Sequence, residues 1–110
     1  MKRKIFLILR PSKINGVGVF ALTDIKKGAR IPLFIYIDCK RVNRVRGPIE
    51  LTKYACDDDK YGVWIPLNWH RMSIGWYLNE SLNPNVRCRS WTALRSIKSG
   101  EELTINYADL

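Results

Sequence analysis

Apolar residues in this chain come in short bursts, each closed by polar, glycine or proline positions. Ile5-Phe6-Leu7-Ile8-Leu9 is rich in β-favouring side chains and stops at Arg10-Pro11. Asn15-Gly16 is a tight-turn signal, with Gly18 two residues on, and Val17 to Leu22 resumes as strand. Ile31 to Ile37, carrying Phe34 and Tyr36, reads as the next strand. Arg41 to Glu50 is polar and basic, holds Gly47-Pro48, and reads as a loop. Leu51 to Cys56 fits a short helix or strand, Asp57 to Lys60 a turn, and Tyr61 to Ile65 a strand. Met72 to Leu78 mixes glycine with aromatics and fits a short helical turn, while Val86 to Leu94 and Leu103 to Tyr107 close the chain as strands. No long 3.6-residue period appears. The pattern predicts a mainly β fold with short helical turns.

One stretch echoes another. Ala21-Leu22-Thr23-Asp24-Ile25-Lys26-Lys27-Gly28 resembles Ala93-Leu94-Arg95-Ser96-Ile97-Lys98-Ser99-Gly100. In each, Ile can plug the core, Lys can face water, and Gly can supply a positive φ into the next strand. The echo predicts two similar β corners; two copies are too few for a solenoid.

Composition narrows the class. A chain of 110 residues, 46% apolar, with four Trp and five Tyr, is one globular domain spanning 1–110. The net charge of +9 favours an acidic or polyanionic partner and admits nucleic acid as a secondary one. Cys39, Cys56 and Cys88 form no C-x-x-C pair, and His70 is the single histidine, so no metal site is expected. Free thiols fit a reducing compartment. The run Ile5 to Leu9 is too short for a signal-peptide core, and no apolar run is long enough to span a membrane. The expectation is a soluble intracellular protein, cytoplasmic if bacterial and nuclear or chromatin-associated if eukaryotic or viral.

Candidate chemistry begins at Asn79-Glu80-Ser81-Leu82-Asn83-Pro84-Asn85, directly after Ile74-Gly75-Trp76-Tyr77-Leu78. Asn and Ser turn the backbone with their own side chains and Pro fixes φ, so this is a rigid polar loop against an apolar body. Such loops are common ligand holders. Trp64, Trp76 and Tyr77 read as core rather than as walls of a site. Gly16-Val17-Gly18 and Gly100-Glu101-Glu102-Leu103, with Tyr107 beyond it, complete three elements that are individually weak.

In this order and spacing they resemble the SET-domain family of protein-lysine methyltransferases. The family's G-x-G turn, Val-Phe-Ala strand and Ile-x-x-Gly corner are met by Gly16 to Ala21 and Ile25 to Gly28. Its Asn-His-Ser-Cys-x-Pro-Asn signature reads here Asn79 to Asn85, and Gly-Glu-Glu-Leu-x-x-x-Tyr is met by Gly100 to Leu103 and Tyr107. The resemblance runs from about Ile5 to Tyr107. It implies a SET-domain β-clip fold of small curved sheets with a C-terminal pseudoknot, S-adenosylmethionine as cofactor, and methyl transfer to a lysine of a histone-like, ribosomal or other protein. By the same resemblance, Gly16, Val17 and Gly18 receive the cofactor's amino-acid end. Asn79 hydrogen-bonds the cofactor, the Glu80 backbone reads the adenine edge, and Tyr107 stands at the transfer point with Tyr54 as a second channel tyrosine.

Two departures carry meaning. Leu82 replaces the signature Cys that serves a zinc segment in some members, which agrees with a chain lacking pre-SET and post-SET zinc modules. Glu80 replaces the signature His and is expected to bring a carboxylate near the cofactor. Ala108-Asp109-Leu110 are all that follow Tyr107, so a homodimer partner or the substrate is expected to complete the lysine channel. Two other readings stay open: a catalytically weak SET-like binding module, and a basic nucleic-acid-binding β domain.

Overall fold

The computed structural model describes residues 4–34, 39–43, 56–57, 62–66 and 72–109, with backbone alone for 39–43, 56–57 and 62–66. Two compact units result, one of Met1–Leu33 with Ile74–Asp109 and one of Phe34–Ser73. The described residues are strands and short 3-10 turns, a mainly β architecture.

The first unit holds a four-stranded sheet in the order β1-β2-β9-β6, formed by β1 (Leu7–Pro11), β2 (Val17–Ala21), β9 (Glu102–Ile105) and β6 (Asn79–Glu80). β1 and β2 pair antiparallel from Leu7↔Ala21 to Pro11↔Val17. Their connection, Ser12 to Gly16, is closed by Ser12 N–H donating to Gly16 O at 2.8 Å, so the Asn-Gly signal ends a longer loop rather than a two-residue turn. β9 slots between β2, antiparallel, and β6, parallel. That insertion brings the chain's end against the Asn79 segment.

β7 (Val86–Arg87) and β8 (Thr92–Ala93) form a small hairpin where one continuous strand was expected from Val86 to Leu94. Trp91 turns the chain back with φ 53° and its N–H on Arg87 O at 3.0 Å. A left-handed non-glycine residue costs about 1–2 kcal/mol, and burying the Trp91 side chain at 9% exposure offsets it. The expected strand at Ile31 is also absent over the described residues 31–34. Leu33 N–H reaches back to Ile31 O at 2.8 Å, a tight turn centred on Pro32.

The second unit's described strands are β3 (Cys39–Asn43), β4 (Cys56–Asp57) and β5 (Gly62–Pro66), in the order β3-β5-β4. β3 corrects the loop expected from Arg41, since pairing with β5 from Cys39↔Pro66 to Asn43↔Gly62 overrides the low β propensity of its basic residues. Cys56–Asp57 is strand, so Asp57 belongs to β4 and not to the expected turn; 44–55 and 58–61 lie outside the described residues.

The sequence echo is a contact. Ile25 and Ile97 exchange backbone hydrogen bonds at 2.7 and 2.8 Å, and both are buried. Around that pair the two corners mirror each other. Gly28 N–H donates to Ala93 O at 2.8 Å, as Gly100 N–H does to Ala21 O at 2.7 Å. Ala29 N–H bonds Lys26 O as Glu101 N–H bonds Lys98 O. Both glycines take positive φ, 85° and 92°. The repeated segments are thus self-complementary across an internal pseudo-twofold axis, and their isoleucines join Val19, Ala21, Val86 and Leu103 in the core.

Candidate functional site

Strand alternation decides what faces the site. Side chains of paired residues share a sheet face, and residues two apart along a strand share it too. Val19↔Leu103 therefore face the core, both fully buried. Phe20↔Glu102 and Asn79↔Thr104 lie on the opposite face, and Gly18 joins them by stepping two residues from Phe20. The register thus collects Gly18, Glu102 and Asn79 on one surface.

Asn79 is buried at 6% exposure. Its Nδ2 donates to Asn15 O and Val17 O, each at 3.1 Å, and to Glu102 Oε2 at 2.9 Å. All three neighbours are pure acceptors, which fixes the amide orientation and turns Oδ1 away from them. Glu102 also accepts from the Ser12 hydroxyl at 2.8 and 2.9 Å, and Ser12 Oγ in turn accepts from Ile14 N–H at 2.9 Å. One carboxylate thereby braces the loop 12–17 at Ser12 directly and at Asn15 and Val17 through Asn79.

This changes the reason for Gly18. A Cβ there would overlap the Glu102 carboxylate, whose Cδ would lie 2.8 Å away, and would stand 3.1 Å from Asn79 Nδ2. The glycine admits Glu102. Gly16, with φ 46°, has nothing within 4 Å of a Cβ position and borders open space.

Tyr107 arrives from the other side. Its hydroxyl donates to Leu78 O at 2.6 Å, and its backbone N–H donates to the Glu80 carboxylate at 3.1 Å. β9 ends at Ile105, and the expected strand gives way to a 3-10 turn, Tyr107–Asp109. Asn106 caps that turn, its Oδ1 accepting from Ala108 N–H at 3.0 Å and its O from Asp109 N–H at 2.9 Å. Glu80 is exposed, and its carboxylate serves Tyr107.

The structure brings together Val17, Gly18, Asn79, Glu80 and Tyr107, and leaves Gly16 at the loop's end. Tyr54 lies outside the described residues, as does the side chain of Trp64. Trp76 and Tyr77, on the 3-10 turn Ile74–Tyr77, are half-buried rather than core. Sequence reasoning did not single out Ser12, Glu102 or Asn85. Asn85 is 2% exposed, donates Nδ2 to Glu102 O at 2.8 Å and accepts Thr104 N–H on Oδ1 at 2.9 Å, stitching β9 to the loop. Alternation did hold one signal: with Leu103 in the core, Glu102 must face away from it. Nothing local shows that Ser12 meets Glu102.

Two groups have shifted acidity. Burial, then the nearby Asp109, holds the Cys88 thiol above its ordinary range, against the opposing effects of Asn106 O, which it meets at 3.5 Å, and Arg89. Arg95 and the Lys98 N–H hold the Glu101 carboxyl below its ordinary range. Among the described residues no cluster of His, Cys, Asp or Glu could hold a metal ion, and no helix is long and apolar enough to cross a membrane.

The model of the SET domain family matches residues 16–108, and the chain belongs to that family. A variant-silencing SET domain-containing protein of Plasmodium falciparum (isolate 3D7) is 29% identical over 130 residues, covering 93% of this chain. The chain spans 5% of that relative's length. The crystal structure of a candidate histone methyltransferase of Plasmodium falciparum has the same fold, with TM-score 0.69 and 24% identity over 97% of this chain and 95% of the other. Methyltransferases of this family generally use S-adenosylmethionine.

The donor set can be tested against such a cofactor, which carries an ammonium, a carboxylate and an adenine ring. Among the described residues nothing bonds Asn79 Oδ1, leaving an acceptor for an ammonium beside the braced turn. β6 ends the sheet. In a parallel ladder alternate residues aim both backbone groups at one neighbour. Ser81 N–H bonds Ile105 O at 2.9 Å, so the Glu80 N–H and C=O point off the edge. That is the donor–acceptor pair an adenine edge requires. The residues fit the group.

Proposed function

We propose that this chain is a protein-lysine methyltransferase that draws on S-adenosylmethionine and acts on a protein with an accessible lysine. The carrying observation is that the Tyr107 hydroxyl sits on Leu78 O, one residue from Asn79, whose amide is locked to the 15–17 turn. When bound, the cofactor supplies an electrophilic methyl on a sulfonium. Asn79 Oδ1 and the backbone of Val17 and Gly18 hold the amino-acid end, and the Glu80 backbone orients the adenine. The reacting lysine must be neutral, and deprotonating an ordinary ammonium at pH 7 costs about 4–5 kcal/mol. A low-dielectric channel beside a cation offsets part of that cost.

Tyr107 is assigned to positioning. Its proton is committed to Leu78 O, and a phenol with the ordinary pKa near 10 is a poor base at neutral pH. In this reading its oxygen serves as an acceptor that orients an incoming amine. Alignment of reacting groups can supply roughly 7–11 kcal/mol in favourable systems.

The test is transfer of radiolabelled methyl from S-adenosylmethionine to histones and ribosomal proteins, with lysine located by mass spectrometry. Transfer that is lost in Tyr107→Phe supports the reading. No transfer to either set, with cofactor bound, favours the binding-module alternative, and absence of cofactor binding removes both.

A further inference from the structure

We propose that Glu102 is the positioning residue of the cofactor site, setting the cofactor-ready orientation of Asn79 and the 12–18 loop without touching the cofactor. The inference rests on the functional reading above.

Three observations carry it. Glu102 is the one charged acceptor of Asn79 Nδ2, at 2.9 Å against 3.1 Å for the two carbonyls. Charge-assisted bonds are the stronger kind. Two N–H hydrogens serve three acceptors there, so losing the carboxylate leaves the amide on two longer bonds to neutral carbonyls and weakens the hold on Oδ1. Second, the same carboxylate holds the Ser12 hydroxyl, which holds Ile14 N–H. Both ends of the loop therefore answer to one side chain across 90 residues of sequence. Third, Gly18 leaves room for it, because a Cβ there would push the carboxylate off its present position.

Glu102 differs in this from its neighbour. Glu101 is tied to Arg95 and Lys98 at the sheet's rim, away from the turn. The repeated carboxylates of the Gly100-Glu101-Glu102-Leu103 stretch thus have separate uses, one fastening a corner and one aiming the site.

The conservative variant discriminates aiming from bulk stability. In Glu102→Gln the side-chain carbonyl can still accept from Asn79, and its NH2 can donate to Ser12 Oγ. Glu102→Ala can do neither, and Glu102→Asp is too short. Binding of S-adenosylhomocysteine is read by calorimetry for all four proteins, with amide exchange at Ile14 to Gly18 and at Ile25. Glu102→Ala is expected to weaken binding on the order of 10- to 100-fold, as for loss of a hydrogen bond to a charged group. Glu102→Gln should recover part of that loss, as a neutral acceptor in the same place. Exchange should quicken at 14–18 in the alanine variant while Ile25, in the core, stays protected. In turnover assays the loss should fall on KM for S-adenosylmethionine more than on kcat.

Alanine and glutamine variants that both bind as tightly as wild type overturn the proposal and leave the functional reading intact. So does a glutamine variant as weak as alanine with Ile25 exchange equally quickened in both, which marks bulk destabilisation. Wild-type protein that binds no cofactor removes the functional reading and this proposal with it. If Glu102→Ala does not fold, Ser12→Ala with Glu102→Gln carries the comparison: Ser12→Ala should quicken exchange at Ile14 and weaken binding, and no change in either overturns the proposal.

Discussion

The Tyr107 hydroxyl donates to the Leu78 carbonyl at 2.6 Å across 29 residues of sequence. That bond makes a chain-terminal tyrosine part of the Asn79 loop. Tyr107→Phe removes it while keeping the ring, and should cost about 1 kcal/mol of stability, the worth of one hydrogen bond. If the hydroxyl also orients the lysine, methyl transfer should fall on the order of 100-fold. Chemical denaturation and single-turnover kinetics read the two effects separately.

Asn85 satisfies both ends of its amide inside the core, with Glu102 O and Thr104 N–H as partners. Asn85→Ala strands the buried Thr104 N–H, worth about 1–3 kcal/mol when unsatisfied, and the part-buried Glu102 carbonyl, worth less. Urea unfolding should show a loss of about 2–4 kcal/mol with an unchanged slope.

The matched corners should respond alike to substitution. Nothing lies within 4 Å of a Cβ at Gly28 or Gly100, so the obstacle is the positive φ. Gly28→Ala and Gly100→Ala should each cost about 1–2 kcal/mol, and asparagine at either site should cost less than alanine. Thermal melts of the four variants check the equivalence.

Glu101 gives a pH signature. Its folded pKa lies below the unfolded value, first through Arg95 and then through the Lys98 N–H. Its contribution is therefore present above the unfolded pKa and is lost as pH falls through the folded one. The pair is half-exposed, 50% and 36%, so the effect is a few tenths of a kcal/mol. Glu101→Gln should be slightly less stable than wild type at neutral pH, with the gap closing in acid and narrowing in high salt.

Cys88, held as the thiol by burial and Asp109, should alkylate more slowly than glutathione near neutral pH. Asp109→Asn removes one cause and should quicken the reaction. Iodoacetamide labelling followed by peptide mass spectrometry assigns the rate to this cysteine.

β1, β2 and β9 were legible because alternation and glycine are local signals, whereas Asn79–Glu80, read as loop, is the strand β6. The Met72 to Leu78 helical turn and the β5 strand were also readable, from glycine among aromatics and from an unbroken β-rich run. The failures have both local and tertiary causes. Pro32 closes a tight turn over the described residues 31–34, where strand was expected, Trp91 takes a left-handed conformation where Val86 to Leu94 looked continuous, and pairing with β5 makes strand of basic residues from Arg41. Glu80 was expected to bring a carboxylate near the cofactor, and that carboxylate accepts from Tyr107 N–H, a partner that residue type alone did not reveal.

By itself, then, the sequence determined the class, the three motifs in register and the paired Ile-Lys-x-Gly corners, since spacing and residue type survive without coordinates. Only the tertiary structure decided what those residues do to one another. β9 enters between β2 and β6, and that one insertion sets Glu102 under Gly18, Asn79 beside Glu102, and Tyr107 on Leu78. Such contacts depend on strand order and register, and no local preference of the chain encodes which strand becomes the neighbour.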